Sequence, residues 1–171
     1  AQTGSIGQKG NFLDLNLDET AGGATTGTLK AVANQHIDIA ERAGVLHVEH
    51  VESTTGDVSL YAGSNLVDAN NDVDADIKGN SITLYSEAGT IGEAGDNLEI
   101  DSQYSASGAV TLTSLDNTHI LDIGDLVLRT VEVRQAGSTA FIASAGGIGS
   151  GLDDAAPMGV DDVVGVYKNT A

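Results

Sequence analysis

At 171 residues, with 22 Gly, one Pro, no Cys and no Trp, the chain is long enough for one core, but 4% aromatics means small and β-branched side chains must build it. Seven Lys and Arg against 25 Asp and Glu leave a net charge of −18, which repels nucleic acid and anionic lipid and attracts cations, so DNA, RNA and membrane binding are not expected. No disulfide framework can form, and no run of about 18 apolar residues exists for a membrane-spanning helix.

The first patterned element is GSIGQKGNFLDLN, residues 4–16, where Gly corners precede the alternating Leu13 and Leu15 of a short strand. The preceding residues carry neither a basic nor an apolar leader segment, so any export signal is expected outside this chain. Residues 31–51, AVANQHIDIAERAGVLHVEHV, contain helix-favouring Ala, Glu and Arg. Their counterpart TSLDNTHILDIGDLVLRTV is rich in β-branched residues, and equivalent segments share a conformation, so strand is expected in both. VSL at 58–60 and ITL at 82–84 follow, then LEI at 98–100, VTL at 110–112 and LVL at 126–128. Each places two aliphatic side chains on one face and the middle residue on the other. Gly-containing clusters such as STTGD, AGSN, IKGN and EAGD separate these runs and supply sharp corners.

GTIGEAGDNLEID, residues 89–101, restates residues 4–16: Gly4, Ile6, Gly7, Leu13 and Leu15 recur as Gly89, Ile91, Gly92, Leu98 and Ile100. Thr28 and Leu29 return as Thr111 and Leu112. Asn34, His36 and Ile37 return as Asn117, His119 and Ile120, and Leu46, Val48 and Val51 as Leu126, Leu128 and Val131. Ile82, Leu84 and Tyr85 align with Val164, Val166 and Tyr167. The drifting offset places insertions in turns between two long units, 1–88 and 89–171, the second continuous with the first. A third copy is due where the chain stops, so two units of a longer array are expected. Strands of three or four residues are too short for a sandwich and suit a parallel β-helix, in which each strand stacks on its equivalent one turn away. Coils of roughly 20 to 25 residues give about seven or eight turns, four to a unit.

GTIG, a short polar turn and LEID, together with GDVSLYAGSNLVDA and GNSITLYSEAGTIG, resemble the repeats of very large bacterial surface proteins of the filamentous-haemagglutinin and adhesin-like kind. The resemblance spans essentially the whole chain. It implies a right-handed parallel β-helix in an exported, extracellular or cell-surface fibre that holds adhesive regions away from the cell. Adjacent units of the same chain would be its first partners, with cell-surface glycans or proteins beyond them. It transfers no catalytic residue, and no cofactor is required.

The densest constellation is DANNDVDADIKGN, residues 68–80, where Asp68, Asp72, Asp74 and Asp76 either offer the hard oxygen ligands calcium prefers or form a solvated acidic loop that keeps the fibre soluble. It is not an EF-hand: counted from Asp72, Ile77 holds the glycine place and Thr83 the glutamate place. Asp153, Asp154, Asp161 and Asp162 form an acidic loop in the second unit. His47, Glu49 and His50 lack zincin spacing. On a regular strand His50 would face away from the other two. His36 and His119 read as turn residues after Asn. Asp38 with Glu41, or Asp122 with Asp125, could supply the acid and base of a polysaccharide-cleaving β-helix, the rival reading, and a polysaccharide-binding module belongs with it. The few aromatics and the duplication argue against a single tuned site. SAGGIGSGLDD, residues 144–154, lacks the helix a dinucleotide loop requires and reads as a turn.

Overall fold

The structure is a computed structural model that describes residues 1–17 and 27–150, with the backbone of one further strand at Val166–Lys168. Every regular element among the described residues is a strand, as short aliphatic alternation closed by glycine or Asx dictates. In chain order they are β1 Leu13–Leu15, β2 Thr28–Ala33, β3 Ile37–Glu41, β4 Leu46–Ser53, β5 Val58–Ala62, β6 Leu66–Asp68, β7 Ile77–Gly79, β8 Ile82–Ser86, β9 Leu98–Ser102, β10 Val110–Ser114, β11 Thr118–Asp122, β12 Leu126–Val133, β13 Ala140–Ser144, β14 Ile148–Ser150 and β15 Val166–Lys168.

These strands form two sheets in which all pairing is parallel. One runs β1-β3-β5-β8-β10-β12-β14, with β15 also on β12. The other runs β13-β11-β9-β7-β4-β2, with β6 also on β4. The chain alternates between the sheets and advances one strand position per circuit, which makes a parallel β-solenoid of about 6 turns. The sequence expectation of seven or eight turns is too high. Some circuits carry long turns, such as residues 87–97 and 103–109, so fewer turns consume the chain.

Registers stack like on like. Ile39, Leu60, Leu84, Leu112 and Val131 follow one another through the first sheet, and Ala31, Val51, Ile77 and Ile100 through the second. The two ladders face each other, and Ile39, Leu60, Leu84, Leu112, Val51, Ile77 and Ile100 are all nearly fully buried. Their burial removes apolar surface at roughly 25 cal/mol per Å², and no ring larger than an aliphatic fork is needed between the sheets.

The last residue of most strands also points inward, at the narrow edge of the core, and there the residue type changes. Ser53, Ser86, Ser102, Ser114 and Ser144 end β4, β8, β9, β10 and β13. Ser86 Oγ donates to the Ser64 carbonyl at 2.7 Å and accepts from Gly89 N–H at 3.1 Å. Ser144 Oγ donates to the Gly124 carbonyl at 2.6 Å and accepts from Gly146 N–H at 3.2 Å. A small hydroxyl thus satisfies corner backbone that would otherwise be buried without partners. Glu41 and Asp122, fully buried, do the same with carboxylates. Glu41 accepts from Leu17 N–H at 2.6 Å and Ala43 N–H at 3.2 Å, and Asp122 from Gly124 N–H at 2.8 Å and Ser102 Oγ at 2.5 Å.

The restated motif has one geometry in both places. Gly7 and Gly92 adopt φ of 72° and 64°. A Cβ on either would lie 2.1 Å from the carbonyl oxygen of Asp38 or His119, so only glycine fits. Antiparallel bridges Gln8–Asn11 and Glu93–Asp96 close the turn that follows. These contacts make Asp38, not His36, the counterpart of His119, so the two histidines are not equivalent. Val166–Lys168 pairs with the second half of β12, as Ile77–Gly79 pairs with that of β4. The match of Val166 and Tyr167 to Leu84 and Tyr85 is therefore out of place.

Matched segments lie on opposite sheets. β1 and β3 belong to the first sheet, while β9 and β11 belong to the second. β4 lies in the second and β12 in the first. From β1 to β8 the chain makes seven passes, because β6 and β7 share one pass against the two halves of β4. Seven passes are three and a half turns, not four.

Candidate functional site

The loop of residues 69–75 leaves the second sheet at Asp68 and returns at Asp76. Ile77 pairs with Ile100, so Asp76 and Glu99, one position earlier, are neighbours on successive turns. Asp76 N–H donates to the Glu99 carbonyl at 3.0 Å, and Asp76 Oδ2 accepts from Glu99 N–H at 3.2 Å. Asp68 completes a trio in which one carboxylate oxygen from each residue lies within 4.8 Å of the other two, the only such group of acids or histidines among the described residues. Asp68, Asp76 and Glu99 are 7%, 2% and 4% exposed, and Glu99 Oε2 is buried with no hydrogen-bond partner.

Asp68 is held by the loop itself, accepting from Asn70 N–H at 2.7 Å and Asn71 N–H at 2.6 Å, with Asn71 in a left-handed conformation at φ 51°. Burial, then the charge of Asp68, pushes the Asp76 carboxyl up to about 8. The same two causes in the same order push Glu99 up to about 7. Asp96, from the turn before β9, is raised by burial and by Asp68, with which its carboxyl hydrogen-bonds. Buried like charges this close cannot all remain ionised without compensation. The arrangement can take up protons or a cation.

Of the four aspartates singled out in the sequence, the structure brings Asp68 and Asp76 together at the neck of the loop. Asp72 and Asp74 lie exposed toward its tip, where Asp74 N–H donates to Asp72 Oδ1 at 2.8 Å. Glu99 went unrecognised because it is 23 positions from Asp76. Alignment of IKG with IDS as successive rungs would have found it, since each acid precedes an inward isoleucine. Asp153, Asp154, Asp161 and Asp162 lie outside the described residues.

The remaining candidates separate. A bulge in β4 opposite Leu29 and Lys30 inserts Glu49 as an extra residue, so Glu49 and His50 both miss the core, and His50 does not face the interior as regular alternation requires. Glu49 instead pairs with Lys30, which with a hydrogen bond from Thr28 lowers its pKa, and His50 Nε2 lies 3.3 Å from Glu52. His36 Nδ1 accepts from Asp57 N–H at 3.3 Å, and His119 stacks on Phe141 at 6.1 Å. Glu41 and Asp122 are the inward corner caps described above, so neither faces outward beside its expected partner. Asp38 is covered by the Gly7 turn, with burial raising its pKa and Oδ2 lacking a partner, while Asp125 is exposed and accepts from Gly147 N–H at 2.8 Å. Of the glycine-rich stretch 144–154, residues 145–147 form a turn, Ile148–Ser150 are strand β14 rather than turn, and residues 151–154 lie outside the described residues.

No family model matches the chain, and neither a curated protein nor a solved structure matches it. What the chain displays by itself is a parallel β-solenoid with a buried carboxylate trio clasped between two of its turns.

Proposed function

We propose that this chain is a non-catalytic segment of an exported bacterial surface rod, acting as an acidic spacer that carries adhesive contacts away from the cell. The observation that carries this reading is the uninterrupted stacking of both sheets through both copies of the GxIG motif. In such a stack each turn satisfies the backbone of its neighbours, so length can grow without a new core. The net charge of −18 keeps long rods apart in solution. The resemblance of the GTIG and LEID repeats to those of filamentous-haemagglutinin-like proteins points the same way, with neighbouring units and cell-surface glycans or proteins as partners.

Two measurements test it. Each added unit of three and a half turns lengthens the particle by about 17 Å at constant width in electron micrographs, and raises the melting temperature. Antibody against the chain labels intact producing cells. Labelling only after lysis, or a melting temperature indifferent to unit number, overturns the proposal.

A further inference from the structure

We infer that Asp68, Asp76 and Glu99 are ligands of one calcium ion that fastens the neck of the 69–75 loop to the next turn of the solenoid. The inference goes beyond the rod reading and does not depend on where the protein works.

Three carboxylates converge from two successive turns, with oxygens within 4.8 Å of one another. That is about the span across an ion bonded to oxygen at 2.3 to 2.6 Å. Glu99 is 4% exposed, and its Oε2 is buried with no hydrogen-bond partner. An orphaned buried oxygen is destabilising unless something satisfies it, and no donor among the described residues does. No ion pair among the described residues reaches the trio: these are Lys30–Glu49, His36–Asp57, Arg42–Asp14 and His50–Glu52. An all-oxygen set without Cys or His disfavours a soft metal, and a buried, three-carboxylate site suits calcium better than magnesium, which keeps several waters.

The backbone is already arranged for such a clamp. Asp76 and Glu99 are locked side by side by two hydrogen bonds, and Asp68 is pinned by Asn70 and Asn71. Little ordering entropy then remains to oppose binding.

The test is thermal melting of the chelator-treated chain at pH 8, followed by the strand signal in circular dichroism, with calcium chloride or with sodium chloride at matched ionic strength. Calcium at millimolar concentration is expected to raise the melting temperature by about 5 °C or more beyond sodium. Glu99→Gln is expected to abolish that response while still folding, because it removes a buried charge. Asp76→Asn serves as the second variant if Glu99→Gln does not fold. Asp74→Asn, on the exposed tip, is expected to keep the full response. No shift beyond sodium, a full response in Glu99→Gln and Asp76→Asn, or loss of the response in Asp74→Asn alone overturns the inference. Surface labelling of cells reads out the rod proposal separately.

Discussion

Asp76 and Glu99 show how a single residue's chemistry is set by the turn stacked beside it. In ordinary water each would ionise near pH 4, but burial and the neighbouring Asp68 raise Asp76 to about 8 and Glu99 to about 7. The groups that face them are Asp68 at the loop neck, Asp72 in the loop and Asp96 in the turn before β9, all acidic. Because the folded state holds these protons more tightly than the unfolded chain, folding takes up protons, and stability falls wherever pH rises between the two values. In chelator, the melting temperature is therefore expected to decline from about pH 4 to about pH 8 and then level off as far as this cluster is concerned. Glu99→Gln, measured in the same buffers, should lessen the decline between about pH 4 and about pH 7, the interval over which Glu99 holds its extra proton. An unchanged slope in the variant removes the assignment to the cluster.

At the scale of elements, hydrogen bonds within a sheet fix spacing, but side chains on the outer face tie turns together over longer distances. Tyr61 on β5 and Tyr85 on β8 stack with centroids 5.1 Å apart and planes 7° from parallel. Arg42 lies 4.9 Å over Tyr61 and Arg134 lies 5.2 Å over Tyr85, so the column reads cation, ring, ring, cation. Arg134 also donates to the carbonyls of Ser114, Ser86 and Glu87 at 3.3, 3.0 and 2.6 Å, which rivets the residue after β12 to the corners of β10 and β8. Arg134→Ala removes all of these at once and is expected to cost about 1 to 3 kcal/mol in denaturant unfolding. Arg134→Lys should recover less than half of the loss, because a compact ammonium lacks the planar guanidinium that spreads its donors over three carbonyls while lying over Tyr85. Full recovery by lysine would show that charge alone matters there.

For the whole molecule, the odd number of passes in the first unit decides on which side its motifs recur in the second. A unit of four full turns would return every motif to the same side, as stacked copies. Three and a half turns place the GxIG turn of the first copy against one sheet and that of the second copy against the other. A surface feature of the first unit therefore has its counterpart in the second on the opposite side of the solenoid. Spin labels at Gln8 and Glu93, both exposed in equivalent turns, should be separated by clearly more than the about 17 Å of axial rise between units. A distance near that value would place both motifs on one side and refute the half-turn offset.

Much of this architecture is decided locally. Two aliphatic residues flanking one polar residue, closed by glycine, can only make short strands between corners, and restating such a string with a drifting offset demands stacking. The second glycine of GxIG is obligatory because its turn sits on a carbonyl of the neighbouring turn, and that constraint is visible as a matched Gly7 and Gly92. The serines that end strands were equally visible but carry meaning only once the narrow edge of the core is known. Register and parity are tertiary facts. Whether Asp76 meets Glu99 depends on how many residues each circuit consumes, and whether two copies share a side depends on whether the count of passes is even or odd. Periodicity along the chain determines which residues point inward; only the winding of the chain, through the lengths of its turns, determines which of them become neighbours.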